Sequence, residues 1–414
     1  MSGASADRLA ALHSWHADWR GLRVVVLGLS VTGFSVADTL AELGASVLVV
    51  SERADEEYAR LLPLIGVSLW TGPLGDADAG TPAAVIAHEP DVVIASPGFA
   101  PGHPLIEWVQ AQGIALWGDV ELAWRVRDKI VDAAGHPAKW VLITGTNGKT
   151  TTTQLTSHLL RAGGLRAAPC GNIGVPVLDA VRDPAGFDAL VVELSSHQLW
   201  YLGLQTGPDP VSPHASVCLN LADDHLEWHG SFEAYRDAKA HVYDHTRVAC
   251  VYNKADLATL KMVEDADVVE GARAVGYDLG VPGPSDLGVV EGILVDRAFH
   301  DDRHHSALEL STVAELAAAG LGAPHMVSNI LAAAALARSL GVAPEAIHEA
   351  LREFRLDRHR IELVATVGGV AWIDDSKATN PHAVAASLGA FTGVVWVVGG
   401  VFNFFLDSTD PNVQ

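Results

Sequence analysis

The strongest constraint on this chain is a seven-residue stretch, Thr144-Gly145-Thr146-Asn147-Gly148-Lys149-Thr150, set between an apolar run and a helical one. The run before it, Trp140-Val141-Leu142-Ile143, reads as a buried parallel strand. The stretch after it, Thr151 to Arg161, reads as a helix. A strand, a glycine turn ending Gly-Lys-Thr and a helix place backbone N–H groups at an electropositive helix start. Lys149 adds a cation, and the Thr150 hydroxyl can meet a metal ion. Ile143 stands where the common phosphate loop has its first glycine, so this is a shortened variant. The alternative is a chance glycine turn, which would not explain strand, loop and helix together.

A second glycine turn, Gly28 to Gly33, follows the apolar strand Val24 to Leu27 and opens a helical stretch, Phe34 to Leu43, closed by Gly44. It does not have the GxGxxG spacing of a dinucleotide fold. Glu52 nevertheless ends the next strand (Val47 to Val50), where such a fold puts its ribose-binding acid. From the residues alone three readings stay open: a nucleotide site, an NAD site, or a tight turn with no ligand. Asp91 to Ala95 reads as a further strand, ending at Ser96-Pro97-Gly98. Strands alternating with helices predict a doubly wound α/β fold.

Three segments are expected: 1–136, 137–355 and 356–414. His136-Pro137 is the first linker. Helices are expected from Asn329 to Leu340 and near Phe354, and strands at Val370 to Ile373 and Val394 to Val398. The chain has 414 residues and a net charge of −23, from 27 basic and 50 acidic side chains. That excludes a general nucleic-acid binder, which would carry a basic face. Three cysteines, Cys170, Cys218 and Cys250, form no CxxC pair, so buried free thiols in a reducing cytoplasm are expected. No apolar run reaches membrane-spanning length, and no signal peptide is evident.

Other polar residues fall at predicted strand ends. Glu193, in Glu193-Leu194-Ser195-Ser196-His197-Gln198, could bind Mg²⁺ or be a solvated acid. His225, in Asn220-Leu221-Ala222-Asp223-Asp224-His225, could orient a metal or be an ordinary surface histidine. Lys239, in Tyr235-Arg236-Asp237-Ala238-Lys239, reads as a solvated helix lysine with no reason in the sequence to think otherwise. Asp374-Asp375-Ser376-Lys377-Ala378-Thr379-Asn380 is an anion or substrate site, or a turn.

In order, from Gly28 to Gly400, these motifs resemble the Mur ligases. The resemblance implies three α/β domains: a Rossmann-like first, a P-loop-type ATPase second and an incomplete Rossmann-like third. It implies joining of an amino acid to a UDP-linked muramoyl substrate through an acyl phosphate made from ATP. The string Asp375 to Asn380 is similar to that of the member adding D-glutamate, so the implied partners are UDP-N-acetylmuramoyl-L-alanine and D-glutamate. By resemblance, ATP meets Gly145, Thr146, Asn147, Gly148, Lys149, Thr150, Thr151, Asn329, Arg360 and Asp375. The UDP substrate and amino acid meet Ser30, Val31, Thr32, Glu52, Arg53, Gly98, Asn172, Ser195, Lys377 and Thr379. Mg²⁺ is implied at Thr150, Glu193, His225 and a carbamylated Lys239; Lys149, Glu193, His225 and Lys239 are the implied catalytic set. A monomer in the cytoplasm, with no membrane or nucleic-acid partner, is the expectation.

Departures are present. Met326 replaces a usual asparagine, His197 a usual aromatic, and Val401-Phe402-Asn403-Phe404-Phe405 follows Gly399-Gly400 where a lysine and an acid are called for. The rest of the third domain is not in the sequence. The expectation is therefore a chain that keeps nucleotide binding but ligates poorly, with Phe402, Phe404, Phe405 and Leu406 short of packing partners.

Overall fold

A computed structural model describes residues 3–74, 80–357, 362–378, 381–389, 391 and 393–397, with backbone alone at 3–6, 381–383 and 386. The first five strands, β1 (Arg23–Leu29), β2 (Ser46–Ala54), β3 (Ser68–Thr71), β4 (Val92–Ala95) and β5 (Ala115–Gly118), form one parallel sheet in the order β3-β2-β1-β4-β5. Val24 to Leu27, Val92 to Ala95 and Val47 to Val50 are buried, as strands covered on both faces require.

The second sheet has nine strands. These are β6 (Lys139–Thr144), β7 (Ala167–Gly171), β8 (Ala189–Glu193), β9 (Ala215–Cys218), β10 (Ala249–Asn253), β11 (Arg273–Tyr277), β12 (Asp286–Val290), β13 (Ile293–Asp296) and β14 (Leu308–Thr312). Their order is β14-β13-β12-β11-β10-β9-β6-β8-β7, parallel from β7 to β12 and antiparallel at the last two pairings. The alanine-rich Pro324–Ser339 helix packs on this sheet, its Ala332 to Ala337 face fully buried. One apolar core passes from the first sheet to the second. It runs through Trp117, Trp124 and Trp140, the last two edge-on at 5.1 Å. Cys170, Cys218 and Cys250 are buried free thiols.

After residue 357 the described residues depart from the expectation. β15 (Glu362–Val367) and β16 (Val370–Asp374) make an antiparallel hairpin around Gly368-Gly369, both at positive φ. The sequence reading missed β15 because its apolar residues, among them Leu363 and Val364, do not alternate. Val394 to Val397, expected as a strand, carries no regular structure and is exposed. An apolar run alone does not make a strand when no neighbour accepts its hydrogen bonds. The expectations for Val398 and for Phe402 to Leu406 fall outside the described residues.

Both large sheets place their strand ends for ligand binding. In each, the first strand lies between neighbours reached in opposite directions: β1 between β2 and β4, β6 between β8 and β9. The crevice outside the carboxyl ends at such a reversal is where open α/β sheets bind ligands.

Candidate active site

The loop 144–150 leaves β6 at its reversal point and enters the Lys149–Ala162 helix. Gly145 has φ +149 and a side chain there would strike Leu219; Gly148 has φ +85 and a Cβ there would lie 2.7 Å from Asn329 Oδ1. Glycine is thus required at both, and Asn329 lies against the loop. Thr150 begins the helix beside Lys149, and Thr151 is buried behind it. Lys149 Nζ donates to the Gly145 and Thr146 carbonyls, both at 2.9 Å.

Two residues that sequence reasoning did not assign lock the loop. Asn220 accepts from Asn147 N at 2.8 Å and donates to Asn147 O at 3.0 Å. The Tyr235 hydroxyl meets Thr146 Oγ1 at 2.8 Å, and Ala222 N donates to the same oxygen at 3.0 Å. These partners are 73 and 89 residues from the loop, and no local spacing signals them.

The solvated-lysine reading of Lys239 is overturned. On the Phe232–Ala240 helix, Lys239 is 2% exposed and donates to Gly145 O at 3.0 Å and Thr144 Oγ1 at 3.2 Å. Burial is the main force lowering its pKa, the Lys149 charge the next, and together they bring it from 10.5 to about 7. Cys218, Asp224 and Glu193 pull the other way.

The solvated reading of Glu193 fails in the same way. It ends β8 at 2% exposure. Asn172 Nδ2 donates to Oε1 at 3.1 Å, and Asn172 N to the Glu193 carbonyl at 2.9 Å. Gly171, at φ +101, lets these backbones meet; a Cβ there would lie 2.4 Å from Glu193 O. Oε2 is buried without a hydrogen-bond partner. A buried carboxylate oxygen needs a donor or a cation. The Glu193 carboxylate, like the Thr150 hydroxyl, is a hard oxygen ligand of the type Mg²⁺ takes. Among the described residues no cluster of three or more His, Cys, Asp or Glu side chains could hold a metal by itself. A Mg²⁺ here would draw remaining ligands from nucleotide phosphates and water, its usual habit.

His225 is exposed, at φ +52, with Asp224 at 3.6 Å and Glu227 at 3.9 Å. Its ring meets His197 at 4.7 Å. His197 in turn contacts Trp228 and His229, and burial first of all holds His197 and His229 down to about 4. Ser195 caps the Ser196–Leu202 helix through a reciprocal pair with Gln198.

The first turn is built differently. Gly28 has φ +93, and a Cβ on Gly33 would lie 2.0 Å from Gly28 O, so helix and strand touch there. Ser30 precedes the Val31–Glu42 helix with no side-chain cap bond, and Val31 and Ser30 are exposed. Thr32 follows in the first turn. Glu52 and Arg53 lie on the exposed end of β2; Glu52 Oε1 accepts from Leu74 N at 3.0 Å. Gly98 is exposed after β4, across the reversal from Gly28. Asp375 accepts from Ser387 Oγ and acts on His325, whose pKa burial lowers. Lys377 Nζ is 3.9 Å from Asp357. Arg360 and Thr379 lie outside the described residues.

A strand–loop–helix phosphate site with a second, buried lysine at its base defines an enzyme that handles a nucleotide's phosphates. Two family models match: the Mur ligase MurD-like N-terminal domain over residues 22–118 and the Mur ligase middle domain over residues 143–337. A UDP-N-acetylmuramoylalanine–D-glutamate ligase of Leifsonia xyli subsp. xyli is 63% identical over 402 residues, covering 96% of this chain and 77% of that protein. The ligase of the same name from Tropheryma whipplei strain Twist is 47% identical, covering 95% and 79%. A solved murein peptide ligase from Psychrobacter arcticus shares the fold at TM-score 0.51 and 17% identity, covering 89% of this chain and 75% of its own. The chain belongs to the Mur ligase family.

Proposed function

We propose that this chain joins D-glutamate to UDP-N-acetylmuramoyl-L-alanine at the expense of ATP, a step of peptidoglycan precursor synthesis. Its organisation follows the three segments 1–136, 137–355 and 356–414, with the UDP end of the substrate on the first, ATP on the second and the amino acid toward the third. The observation that carries this is the convergence of Lys149, Lys239, Glu193 and Asn329 on one loop at the reversal point of the nine-stranded sheet. The high identity to D-glutamate-adding relatives selects the substrates.

The loop amides and Lys149 hold the phosphates, and Lys149 offsets charge as the terminal phosphoryl group moves to the substrate carboxylate. The carboxylate oxygen bonds to phosphorus, the bond to the ADP oxygen breaks, and ADP leaves. The D-glutamate amine then attacks the acyl carbon, phosphate departs with the bonding pair, and the amine loses a proton. Glu193, Thr150, His225 and Lys239 would hold Mg²⁺, which supplies positive charge to the phosphate oxygens when bound. Lys239 fits carbamylation: at a pKa of about 7 much of it is neutral amine, able to add CO₂ and release one proton. The product carbamate is an anion, which exchanges repulsion from Lys149 for attraction. Ser30, Val31, Thr32, Glu52, Arg53 and Gly98 surround the site for the UDP portion, and Asn172 and Ser195 reach the muramoyl end. Lys377 and Asp375 belong to the side where the amino acid and ATP meet, and the resemblance gives Thr379 and Arg360 the same roles.

No helix among the described residues is long and apolar enough to cross a membrane, and the nucleotide-sugar substrate suits a monomer working in the cytoplasm. The test is incubation of the purified chain with ATP, Mg²⁺, UDP-N-acetylmuramoyl-L-alanine and labelled D-glutamate. One ADP should appear per labelled product. ATP consumption without incorporation, or incorporation of L-alanine or a diamino acid in place of D-glutamate, contradicts the reading.

A further inference from the structure

The Ser196–Leu202 helix leaves the end of β8 beside the phosphate loop; Ser196 Oγ meets His229 Nε2 at 2.9 Å, and two further polar side chains, Gln198 and Tyr201, cross to the first sheet's segment. At one end, Gln198 Oε1 accepts from Ser195 N at 3.1 Å and Ser195 Oγ at 3.3 Å. The other half of the same amide, Nε2, donates to Asp119 Oδ2 at 3.0 Å. Asp119 follows β5, and both residues are about 5% exposed or less. At the other end, the Tyr201 hydroxyl donates to the Phe99 carbonyl at 2.6 Å. Phe99 closes the Ser96-Pro97-Gly98 turn through its N–H to Ser96 O. Gly118 permits the approach: a Cβ there would lie 3.0 Å from Tyr201 Cβ.

Seven helical residues span about 10 Å. One end of this span adjoins Glu193 and Leu194, whose carbonyl accepts from Thr144 Oγ1 at 2.8 Å. The other end holds the turn proposed to receive the UDP substrate. We infer that Asp119 and Tyr201 are positioning residues: they lock the Ser196–Leu202 helix between the two sites, so that the UDP substrate and ATP are presented in one fixed register. The inference rests on the ligase reading above. Neither residue touches the phosphate loop, and Asp119 makes no contact with the Gly28 turn; Tyr201 reaches the substrate side only through the Phe99 carbonyl. What is lost when the lock is broken is the joint alignment of the two sites, and a displacement of about 1 Å is enough to cost on the order of 100-fold in rate. A ligand that shifts the position of this helix changes the other ligand's affinity, and by linkage the effect is reciprocal.

The test is calorimetry on the intact chain, using UDP-N-acetylmuramoyl-L-alanine and a non-hydrolysable ATP analogue with Mg²⁺. In the parent, the analogue should tighten the UDP substrate by about 5-fold or more. Asp119→Ala should leave each ligand's separate affinity within about twofold and reduce the coupling to near unity, and Tyr201→Phe, which frees the Phe99 carbonyl, should reduce the coupling by more than it weakens the UDP substrate alone. Asp119→Asn should restore it, because its amide oxygen still accepts from Gln198. Coupling that survives in the Tyr201→Phe/Asp119→Ala double variant overturns the inference. So do a parent that binds both ligands without coupling, and separate affinities that fall in step with thermal stability. A parent that does not bind the UDP substrate overturns the ligase reading and the inference with it.

Discussion

The molecule contains two glycine turns at equivalent places in two parallel sheets, and they are built to different standards. The turn at Gly28 is shaped by close contact of strand and helix, and its helix start at Ser30 and Val31 stands open to solvent. The loop at 144–150 is cross-braced by Asn220, Tyr235, Lys239 and Asn329, with two lysines at its base. A site that only holds a ligand tolerates an open floor. A site that must stabilise changing charge needs donors fixed before the reaction begins. On the proposed reading, the same strand–glycine–helix unit serves retention in one sheet and chemistry in the other.

Breaking the reactive loop should have the largest effect. Lys149→Ala removes a charge-assisted contact to phosphate, worth about 2–3 kcal/mol in binding. ATP affinity measured by calorimetry should fall by about 30-fold or more, with UDP-substrate affinity little changed. Unchanged ATP binding would remove the distinction between the two turns.

An intermediate effect is expected at Lys239, and its pH dependence has a definite sign. The folded pKa of about 7 lies below the ordinary 10.5. Between those values the unfolded chain holds a proton that the folded chain has released. In CO₂-free buffer the buried lysine costs stability in full below about pH 7, and that cost is relieved as pH rises from about 7 toward 10.5. Lys239→Met should flatten that slope in denaturant titrations. A variant with the parent's slope would place the lysine in solvent after all.

The smallest effect belongs to the holding turn. Thr32→Ala should weaken the UDP substrate by about 3- to 10-fold, the value of one uncharged hydrogen bond, and leave the ATP analogue unaffected. An equal loss for both ligands would mean that the turns do not divide the work.

The division was half legible in the sequence. Val24 to Leu27 and Trp140 to Ile143 announce their strands by unbroken burial, and Gly148-Lys149-Thr150 announces its loop because every contributing residue is local. Lys239 looked like a solvated lysine because its partners, Thr144 and Gly145, lie 94 or more residues away. Asn220, Tyr235, Asp119 and Tyr201 were silent for the same reason. The hairpin at 362–374 was half missed because β15 shows no alternation, while the apolar run at 394–397 suggested a strand that needs a partner to exist.

The route through an acyl phosphate is tested most directly by labelling the carboxylate of UDP-N-acetylmuramoyl-L-alanine with ¹⁸O and following the phosphate released during ligation by mass spectrometry. Each phosphate should carry one ¹⁸O atom from the substrate, in step with product formed. Phosphate released without label while product accumulates would show that the carboxylate is never phosphorylated.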